Sequence, residues 1–528
     1  MEWTNAISLE DLRSKGGKAV VNIGPKQILI IEEDDNLFAI DNRCPHEGYP
    51  LAVGTIDGEC RITCNWHNWK FDLKSGTCLI GEDDVSSYPL SLEAGQVRVD
   101  ASGPSLESIG EKIMQGLRIG FEKRQYGRMA RELTRLDMHG IDPKGAVLEA
   151  ILWSHDKFEF GMSHAHAAMA DWLGLYEQAE AREERIICLN EILDHLSHDS
   201  LRHSPFPYAE GLAPWNAAEL VAAIDAEDEA KALAIVRGAC AEGLAWPALE
   251  GAFTEAALAY YQDFGHALIW VQKTGEALQR LDQRAMEPLL LLLTRSLCFA
   301  TREDLIPQFR HYAPSLAALT SFGDKTKTPS INGLAMSGVP QALDWVVRHA
   351  QEHTPEALFQ ALLHASAVNM VHFDTRRSLE PYQTPTNSIS WLGFTHSLTF
   401  ADAVRILCGR YSEFWAKGLL QMACFIGRNR PAIDETIREE DWRVSDQAAF
   451  RKTLRDKIFD HGLAEPIFSS HVLKTGLAVF QLADQASEAC RDSLFAALNR
   501  MFSAPLKEKQ VRRIAFQAID LVSKDFAS

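Results

Sequence analysis

Long hydrophobic runs are absent from this 528-residue sequence, and positive charge is scarce. Uninterrupted apolar runs such as Leu289–Leu293 are far shorter than the roughly 20 residues that span a bilayer. The formal net charge of -19 at pH 7 argues against the basic face that a nucleic acid or an anionic membrane requires. The acidic N-terminus has no basic segment followed by an apolar one, so we expect no signal peptide. We therefore expect a protein that binds neither membranes nor nucleic acids.

Motifs for phosphate-containing cofactors are also missing. The sequence contains no G-x-G-x-x-G after a strand and no G-x4-G-K-[ST], which leaves a nicotinamide or a nucleotide without a predicted site. Its 10 cysteines are widely spaced, which in a chain of this size indicates reduced thiols rather than a disulfide framework. These features predict a cytoplasmic protein, and the length predicts at least two domains with substantial cores.

Two short motifs combine cysteine with histidine. Cys44-Pro-His46 is followed, after 17 intervening residues, by Cys64-Asn-Trp-His67. Two thiolates and two imidazoles in this order are the ligands of a Rieske [2Fe-2S] cluster, in which one iron takes the thiolates and the other the imidazoles. A zinc knuckle is the alternative, but zinc sites more often pair C-x2-C with H-x3-H. The four residues therefore predict a metal cluster that carries one electron.

The sequence around these ligands resembles the Rieske ferredoxins and the ring-hydroxylating oxygenases. The resemblance lies in Cys44-Pro-His-Glu-Gly-Tyr-Pro-Leu, Cys64-Asn-Trp-His-Asn-Trp-Lys-Phe-Asp and Lys74-Ser-Gly-Thr-Cys, and it covers about the first 100 residues. It implies a low-potential cluster, because the extra cysteine of each respiratory ligand loop is missing and Asn68 follows His67. Since such a cluster takes no hydride, it also implies an external reductase or ferredoxin as electron donor.

The sequence pattern changes at Asp100–Ser105. Before this segment, short apolar runs alternate with turns, as in hairpin strands, and after it apolar residues recur at helical spacing. We therefore predict a multidomain fold, with a small all-β domain over residues 1–104 and a large all-α domain over residues 105–528. Many basic residues between Leu106 and Leu136 predict a solvated or interdomain face, with docking of an acidic partner as the alternative. These residues are Lys112, Arg118, Lys123, Arg124, Arg128, Arg131 and Arg135.

Four histidines of the helical region are candidate catalytic residues. The pattern Phe-x-His-x-Leu-x-aromatic occurs around His266 and around His396, and a looser relative contains His164 and His166. Two copies indicate two equivalent helices, such as those of a duplicated unit. Imidazoles that project from several helices into one interior can hold iron, orient a substrate or act as general bases. The alternative is that each imidazole bonds a backbone carbonyl within the helix packing.

A second, non-haem iron site is predicted at Asp194, His198 and His203. Rieske oxygenases hold mononuclear iron with two histidines and a carboxylate. The two histidines have the spacing of that motif, whereas the aspartate is one residue too far away. The alternative is a polar helix end that runs into the loop at Pro205 and Pro207.

The helical region also resembles the questin oxidase-like family, in Asp263–Lys273 and Thr395–Ile406. That family consists of all-helical proteins associated with oxidative opening of an aromatic quinone ring. The resemblance implies that the protein is an oxidoreductase, specifically a monooxygenase that acts on a small organic, aromatic metabolite. Its active site would lie in the helical region and receive electrons from the cluster. An electron-transfer protein and a redox sensor, each with a helical domain that docks a partner, are the alternatives. Short-range electron transfer would place the cluster histidines against an acceptor in the same chain or in a homo-oligomer.

Overall fold

The structure is a computed structural model that describes residues 3–102, 105–200, 204–384 and 389–523. Its contacts divide the chain into two compact units, residues 1–143 and residues 144–528. The predicted order of a small β region before a large helical region is confirmed. None of the helices in these ranges is both long and apolar enough to cross a bilayer.

The described part of the N-terminal unit contains ten short strands in three antiparallel sheets. The strands are β1 Trp3–Ser8, β2 Lys18–Ile23, β3 Lys26–Glu33, β4 Asn36–Asp41, β5 Thr55–Asp57, β6 Arg61–Thr63, β7 Lys70–Asp72, β8 Cys78–Ile80, β9 Leu90–Glu93 and β10 Gln96–Asp100. The sheet orders are β1-β10-β9, β2-β3-β4 and β5-β6-β7-β8. The predicted strands at residues 27–31, 37–40, 61–64 and 97–99 overlap β3, β4, β6 and β10.

Strand β3 separates two small hydrophobic cores. Successive side chains of a strand point to opposite faces, so Leu29 and Ile31 enter the core that contains the two ligand-loop cysteines. Ile28 and Ile30 enter the core on the other face, together with residues of β10. This explains why the sequence of β3 is apolar without alternation. The first of these cores anchors the predicted cluster loops.

The described part of this unit also contains three α-helices: α1 Leu9–Ser14, α2 Leu106–Glu122 and α3 Tyr126–Met138. The basic residues of α3 contact an acidic loop of the β region. Arg131 donates to Asp83 at 2.6 Å and to Glu82 at 2.7 Å, and Arg128 and Arg135 also lie within 3.5 Å of Asp83. The compact unit therefore extends to residue 143. The boundary predicted at residue 104 marks the end of the β region, and as a domain boundary it stays a prediction.

The regular elements of the second unit are helices in its described residues, joined by irregular segments such as residues 204–216. Its α-helices are α4 Gly145–Ser154, α5 His164–Gln178, α6 Arg182–Asp199, α7 Ala217–Asp225, α8 Glu229–Ala241, α9 Glu250–Ala257, α10 His266–Leu278, α11 Met286–Cys298, α12 Tyr312–Ala318, α13 Val339–Ala350, α14 Pro355–Val371, α15 Arg376–Leu379, α16 Trp391–Arg410, α17 Trp415–Asn429, α18 Gln447–Phe459, α19 Pro466–Gln485, α20 Glu488–Ser503 and α21 Val511–Ser523.

Four helices at the centre of this unit form a closed ring. Helix α5 packs against α10, α10 against α16, α16 against α19, and α19 against α5. Their side chains are buried around most of the helix circumference, as is typical of helices within a large core. Polar groups that point into this ring are removed from water, and histidines among them form the candidate site of the helical unit.

Candidate functional site

The two cysteine-containing loops of the N-terminal unit have the same backbone geometry. The carbonyl of Cys44 accepts from the N–H of Gly48, and the carbonyl of Cys64 accepts from the N–H of Asn68. Each cysteine N–H donates to the carbonyl of the fifth residue after it. Gly48 and Asn68 have φ of +76° and +62°, a region that glycine and asparagine adopt most easily. The two tight turns therefore present cysteine and histidine in equivalent ways.

These loops bring the four predicted cluster ligands together. The thiols of Cys44 and Cys64 are buried neighbours, and His46 Nδ1 lies 3.0 Å from His67 Nδ1. Burial raises the pKa of the Cys44 thiol to about 11, so formation of the thiolate depends on a bound metal ion. Two adjoining thiols and two facing imidazoles fit the ligand set of a [2Fe-2S] cluster.

The two tryptophans beside His67 have different environments. Trp69 is 9% exposed and stacks on the ring of His46, with 4.7 Å between the ring centroids. Trp66 is 60% exposed and stacks on Tyr49. Trp69 therefore fills the core behind the ligands, whereas Trp66 lies at the surface beside them.

Three of the four candidate catalytic histidines meet inside the helical ring. His164, His266 and His396 come from α5, α10 and α16, and their ligand atoms lie within 4.8 Å of one another. His266 Nε2 is 3.2 Å from His164 Nε2 and 2.9 Å from His396 Nε2. Three imidazole nitrogens at this separation can bind one metal ion, and imidazole is a common ligand of iron, zinc and copper.

The ring of a fourth histidine, His471 of α19, packs against this group. Its ring centroid lies 4.8 Å from that of His164 and 4.6 Å from that of His396. Its Nδ1 is 3.1 Å from the hydroxyl of Thr395, whereas its buried Nε2 has no hydrogen-bond partner in the described part of the chain. A hydrogen bond at one ring nitrogen orients the other as a ligand. We refer to His164, His266, His396 and His471 as the histidine cluster.

His471 was not predicted from the sequence. It shares His-x-Leu with His266 and His396, but Ser469 and Thr475 replace the aromatic residues that flank those histidines. The shorter His-x-Leu pattern also occurs at His461, which bonds Glu191 instead, so the sequence contains no specific signal for His471.

A strained turn directly precedes His266 and sets its position in the cluster. Asp263, Phe264 and Gly265 all have positive φ, of 49°, 53° and 78°, and non-glycine residues rarely adopt this conformation. A Cβ atom on Gly265 would lie 2.7 Å from the ring of Phe400, so this position also lacks space for a side chain. Such strain is concentrated at functional sites. The turn places His266 at the first residue of α10.

Burial keeps the histidine cluster neutral. Desolvation lowers the pKa of His266 to about 3 and lowers the pKa of His164, His396 and His471 well below 6.5. The nearby Lys474 ammonium lowers each of these pKa values further. A neutral imidazole has a lone pair available for a metal ion, so the environment of the cluster favours ligation.

The remaining candidate residues lie apart from this cluster. His166 caps α5, where its Nδ1 accepts from the N–H of Ser163 at 3.1 Å. Asp194 is buried in α6, and His198 Nδ1 lies 2.9 Å from Asp199. His203 lies outside the described residues. Within the described ranges, Asp194 and His198 have no third metal-ligating side chain grouped with them, and the second iron site stays a prediction.

Comparisons with known proteins concern the N-terminal region. A family model described as the Rieske [2Fe-2S] domain matches residues 2–89. The chain is 27% identical over 104 residues to the ferredoxin component of the naphthalene 1,2-dioxygenase system of Pseudomonas putida, an alignment that covers 19% of this chain and 98% of that protein. It is 32% identical over 78 residues to cholesterol 7-desaturase of Hemicentrotus pulcherrimus, which covers 15% of this chain and 16% of that protein.

A solved structure is similar over the same share of the chain. The ferredoxin of carbazole 1,9a-dioxygenase from Nocardioides aromaticivorans IC177 is 22% identical, with a TM-score of 0.18, over 19% of this chain and 97% of that chain. The resemblance of the helical region to the questin oxidase-like family stays a prediction.

Proposed function

Because the predicted Rieske [2Fe-2S] domain is confirmed at residues 2–89, we propose that this protein is an oxygenase with two metal centres. The first centre is the Rieske cluster, held by Cys44, His46, Cys64 and His67. The second is a non-haem iron ion held by the histidine cluster, where O2 oxidises a small organic substrate. An external reductase or ferredoxin supplies the electrons.

The convergence of four histidines from four helices carries this proposal. A histidine that merely satisfies a backbone carbonyl has no need of other histidines around it, whereas ring nitrogens of His164, His266 and His396 lie next to one another and the ring of His471 packs against two of them. The site is also buried within a ring of packed helices, and exclusion of water protects reactive oxygen chemistry from side reactions. On this proposal, the same chain contains a one-electron carrier and a second set of metal ligands.

Each part of the chain has a separate task in the proposed reaction. The iron ion would supply O2 activation, in which one oxygen atom enters the substrate and the other leaves as water at the cost of two electrons and two protons. The Rieske domain accepts these electrons one at a time from the donor protein. The histidines would hold the ion, and the ring of helices keeps bulk water away.

The relatives support an oxygenase system as the setting. The ferredoxin component quoted above belongs by name to a dioxygenase system, and the second relative is named a desaturase. The cofactor of both the ferredoxin and this domain is a cluster that exchanges single electrons. We propose the same role for residues 2–89, with the acceptor in the helical unit.

Iron and acid-labile sulfide per chain test the proposed second centre. Anaerobically purified protein should contain two sulfides and more than two irons, because a Rieske cluster accounts for two of each. The double variant H266A/H396A should lose the additional iron and keep the sulfide. His364→Ala is the matched control, since this partly buried histidine contacts Ser493 outside the cluster. Equal iron and sulfide in the parent protein would contradict the proposal.

Reoxidation of the reduced protein tests whether the two centres cooperate. After chemical reduction and mixing with O2, the cluster of the parent protein should reoxidise at least about tenfold faster than that of H266A/H396A, a difference of about 1.4 kcal/mol in activation free energy. Oxidation of an aromatic substrate should depend on the same histidines. Equal reoxidation rates, with a fully loaded Rieske cluster in both proteins, would favour the electron-transfer protein or the redox sensor.

A further inference from the structure

The histidine cluster lies one side chain below the surface of the helical unit at Phe264. The ring centroid of Phe264 is 6.3 Å from that of His396, a separation at which aromatic rings interact directly. Phe264 is 38% exposed, whereas His396 is 5% exposed and the side chain of His266 is 13% exposed. Phe264 therefore covers His396 on a side that faces solvent.

The fold of the turn does not explain a phenyl ring at this position. Phe264 has a φ of +53°, and glycine or asparagine adopts this backbone conformation at lower cost. A large apolar ring also gains free energy when it is buried, yet this ring is partly exposed. Exposure and strain at one residue beside a candidate site indicate that its side chain serves that site.

The backbone of the turn is held in place from two sides. The N–H of Phe264 donates to Glu303 Oε2 at 2.9 Å. A Cβ atom on Gly265 would lie 2.7 Å from the ring of Phe400 and 2.9 Å from that of Phe425, so the next residue is closely packed. Exposed side chains change rotamer in picoseconds to nanoseconds. The phenyl ring, and not the turn, is therefore the part that can move.

Arg428 holds this ring over His396. Its guanidinium carbon lies 3.5 Å from the ring centroid of Phe264, and its Nη1 donates to Glu303 Oε1 at 2.7 Å. Glu303 is 2% exposed and thus binds both the backbone of Phe264 and the cation that stacks on its ring. A cation–π contact at an exposed ring is weak, so it favours the closed position of the ring without locking it.

We infer that Phe264 lines the entrance to the histidine cluster and that the size of its side chain limits which molecules reach the cluster. This inference rests on the proposed function and adds a specificity-determining residue to it. O2 is small enough to pass beside the ring, whereas an organic substrate has to displace it. A flat aromatic substrate fits such an entrance, because its own ring can replace His396 as the neighbour of the displaced Phe264.

Acylation of His396 by diethyl pyrocarbonate tests the entrance without reference to iron. The reagent attacks neutral imidazole, and peptide mass spectrometry measures the rate at His396. The full-length protein is treated with a chelator that empties the histidine cluster, and its labile sulfide is checked to be unchanged. Phe264→Ala should be acylated at His396 at least tenfold faster than the parent protein. Phe264→Tyr, which keeps the ring, should match the parent.

Phe160→Ala is the matched control for this rate. Phe160 is 63% exposed, and its ring contacts that of Phe299. The control should be acylated at His396 at the parent rate. Equal rates in Phe264→Ala and the parent would overturn the inference, and so would equal acceleration in the control. If Phe264→Ala does not fold, Phe264→Leu should accelerate the reaction at least threefold, and a rate equal to that of the parent would contradict the inference.

Ligands of two sizes test the selection in the iron-loaded protein. Azide and phenol each give a visible charge-transfer band when they ligate ferric iron, and rapid mixing measures how fast each band forms. Azide should bind the parent protein and Phe264→Ala at similar rates, whereas phenol should bind Phe264→Ala at least tenfold faster. Equal acceleration of both ligands, or of neither, would contradict selection by size. Failure of the proposed function has a different signature, since the parent protein would then lack the additional iron while the acylation rates still report on the entrance.

Discussion

His396 Nε2 lies 2.9 Å from His266 Nε2, although 130 positions separate the two residues in the sequence. Because burial keeps both rings neutral, one nitrogen donates to the other in the absence of a metal ion. For both nitrogens to ligate a metal ion, the shared proton would have to move to the Nδ1 of its own ring, because each imidazole stays neutral. The contact therefore holds the two ligand side chains in place before metal binding. The entropy cost of ordering these side chains is part of the cost of folding the helices.

His471→Ala should weaken iron binding in the helical unit at least tenfold. Thr395 bonds Nδ1 of this ring, and Nε2 has no hydrogen-bond partner among the described residues. Loss of one ligand or its orienting partner typically lowers metal affinity by about 10–100-fold. Iron per chain, measured after dialysis against a weak chelator, reports the change. His166→Ala is the matched control, because that buried histidine caps α5 instead. Equal iron retention in the two variants would contradict a ligand role for His471.

Gly265→Ala should destabilise the helical unit by at least about 2 kcal/mol, through backbone strain and contact with Phe400. Gly243→Ala is the control, since Gly243 also has positive φ but no neighbouring atom within 4 Å of an added Cβ. Strain alone should cost this control about 1 kcal/mol. Thermal unfolding followed by circular dichroism measures both, and equal losses would show that contact with Phe400 has no effect.

The ligand set predicted for the N-terminal site follows from the sequence alone, because its chemistry is local. Cys44 and His46 lie two positions apart, and their loop repeats the geometry of the second loop. The order of a β region and a helical region also follows from local periodicity, through runs such as residues 27–31. In this part of the chain, spacing along the sequence determines spacing in the structure.

The site of the helical unit is not local, and the sequence predicted only part of it. His164, His266 and His396 were identified through a shared helix-start motif, but nothing in that motif says that α5, α10 and α16 meet. His471 and Lys474 became visible only once α19 closed the ring. The same limit applies to Arg131, whose partner Asp83 is 48 positions away. Pairing of distant helices depends on tertiary packing, which periodicity does not encode.

Trp69→Ala should lower the free energy of unfolding of the N-terminal unit by about 3 kcal/mol, since it removes a buried aromatic side chain. Trp66→Ala removes an exposed ring of the same type and should cost less than about 0.5 kcal/mol. Denaturant titration followed by the visible absorbance of the cluster reports on this unit in the full-length protein. A larger loss of unfolding free energy for Trp66→Ala than for Trp69→Ala would contradict the assignment of Trp69 to the core and of Trp66 to the surface.

Asp83→Asn should loosen the attachment of α3 to the β region. The variant removes a buried carboxylate from Arg128, Arg131 and Arg135, and breaking such a group typically costs about 3 kcal/mol. Hydrogen exchange of α3 should accelerate accordingly. Glu122→Gln breaks the exposed pair with Arg118 and should cost less than about 0.5 kcal/mol. Unchanged exchange of α3 in Asp83→Asn would show that apolar packing alone holds the helix.

The metal-free protein should lose stability as the pH falls below about 6.5. Burial lowers the pKa of His266 to about 3 and that of His166 to about 4, whereas in the unfolded chain both titrate near 6.5. Between these pKa values the unfolded state binds more protons than the folded state, so acid favours unfolding. Between its two pKa values, each such histidine lowers the free energy of unfolding by about 1.4 kcal/mol for every unit by which the pH falls. Above about pH 6.5 none of this stability is lost.

Urea unfolding of the metal-free protein at pH 7.5, 6 and 5 measures this dependence. The variant His266→Asn, which cannot titrate, should show a shallower decrease in unfolding free energy between pH 6.5 and pH 4 than the parent protein. Iron bound at the cluster should move the onset of the decrease to lower pH, because protons must then displace the metal before they reach the imidazoles. A pH dependence that is the same in parent and His266→Asn would show that His266 is protonated to the same extent in both states.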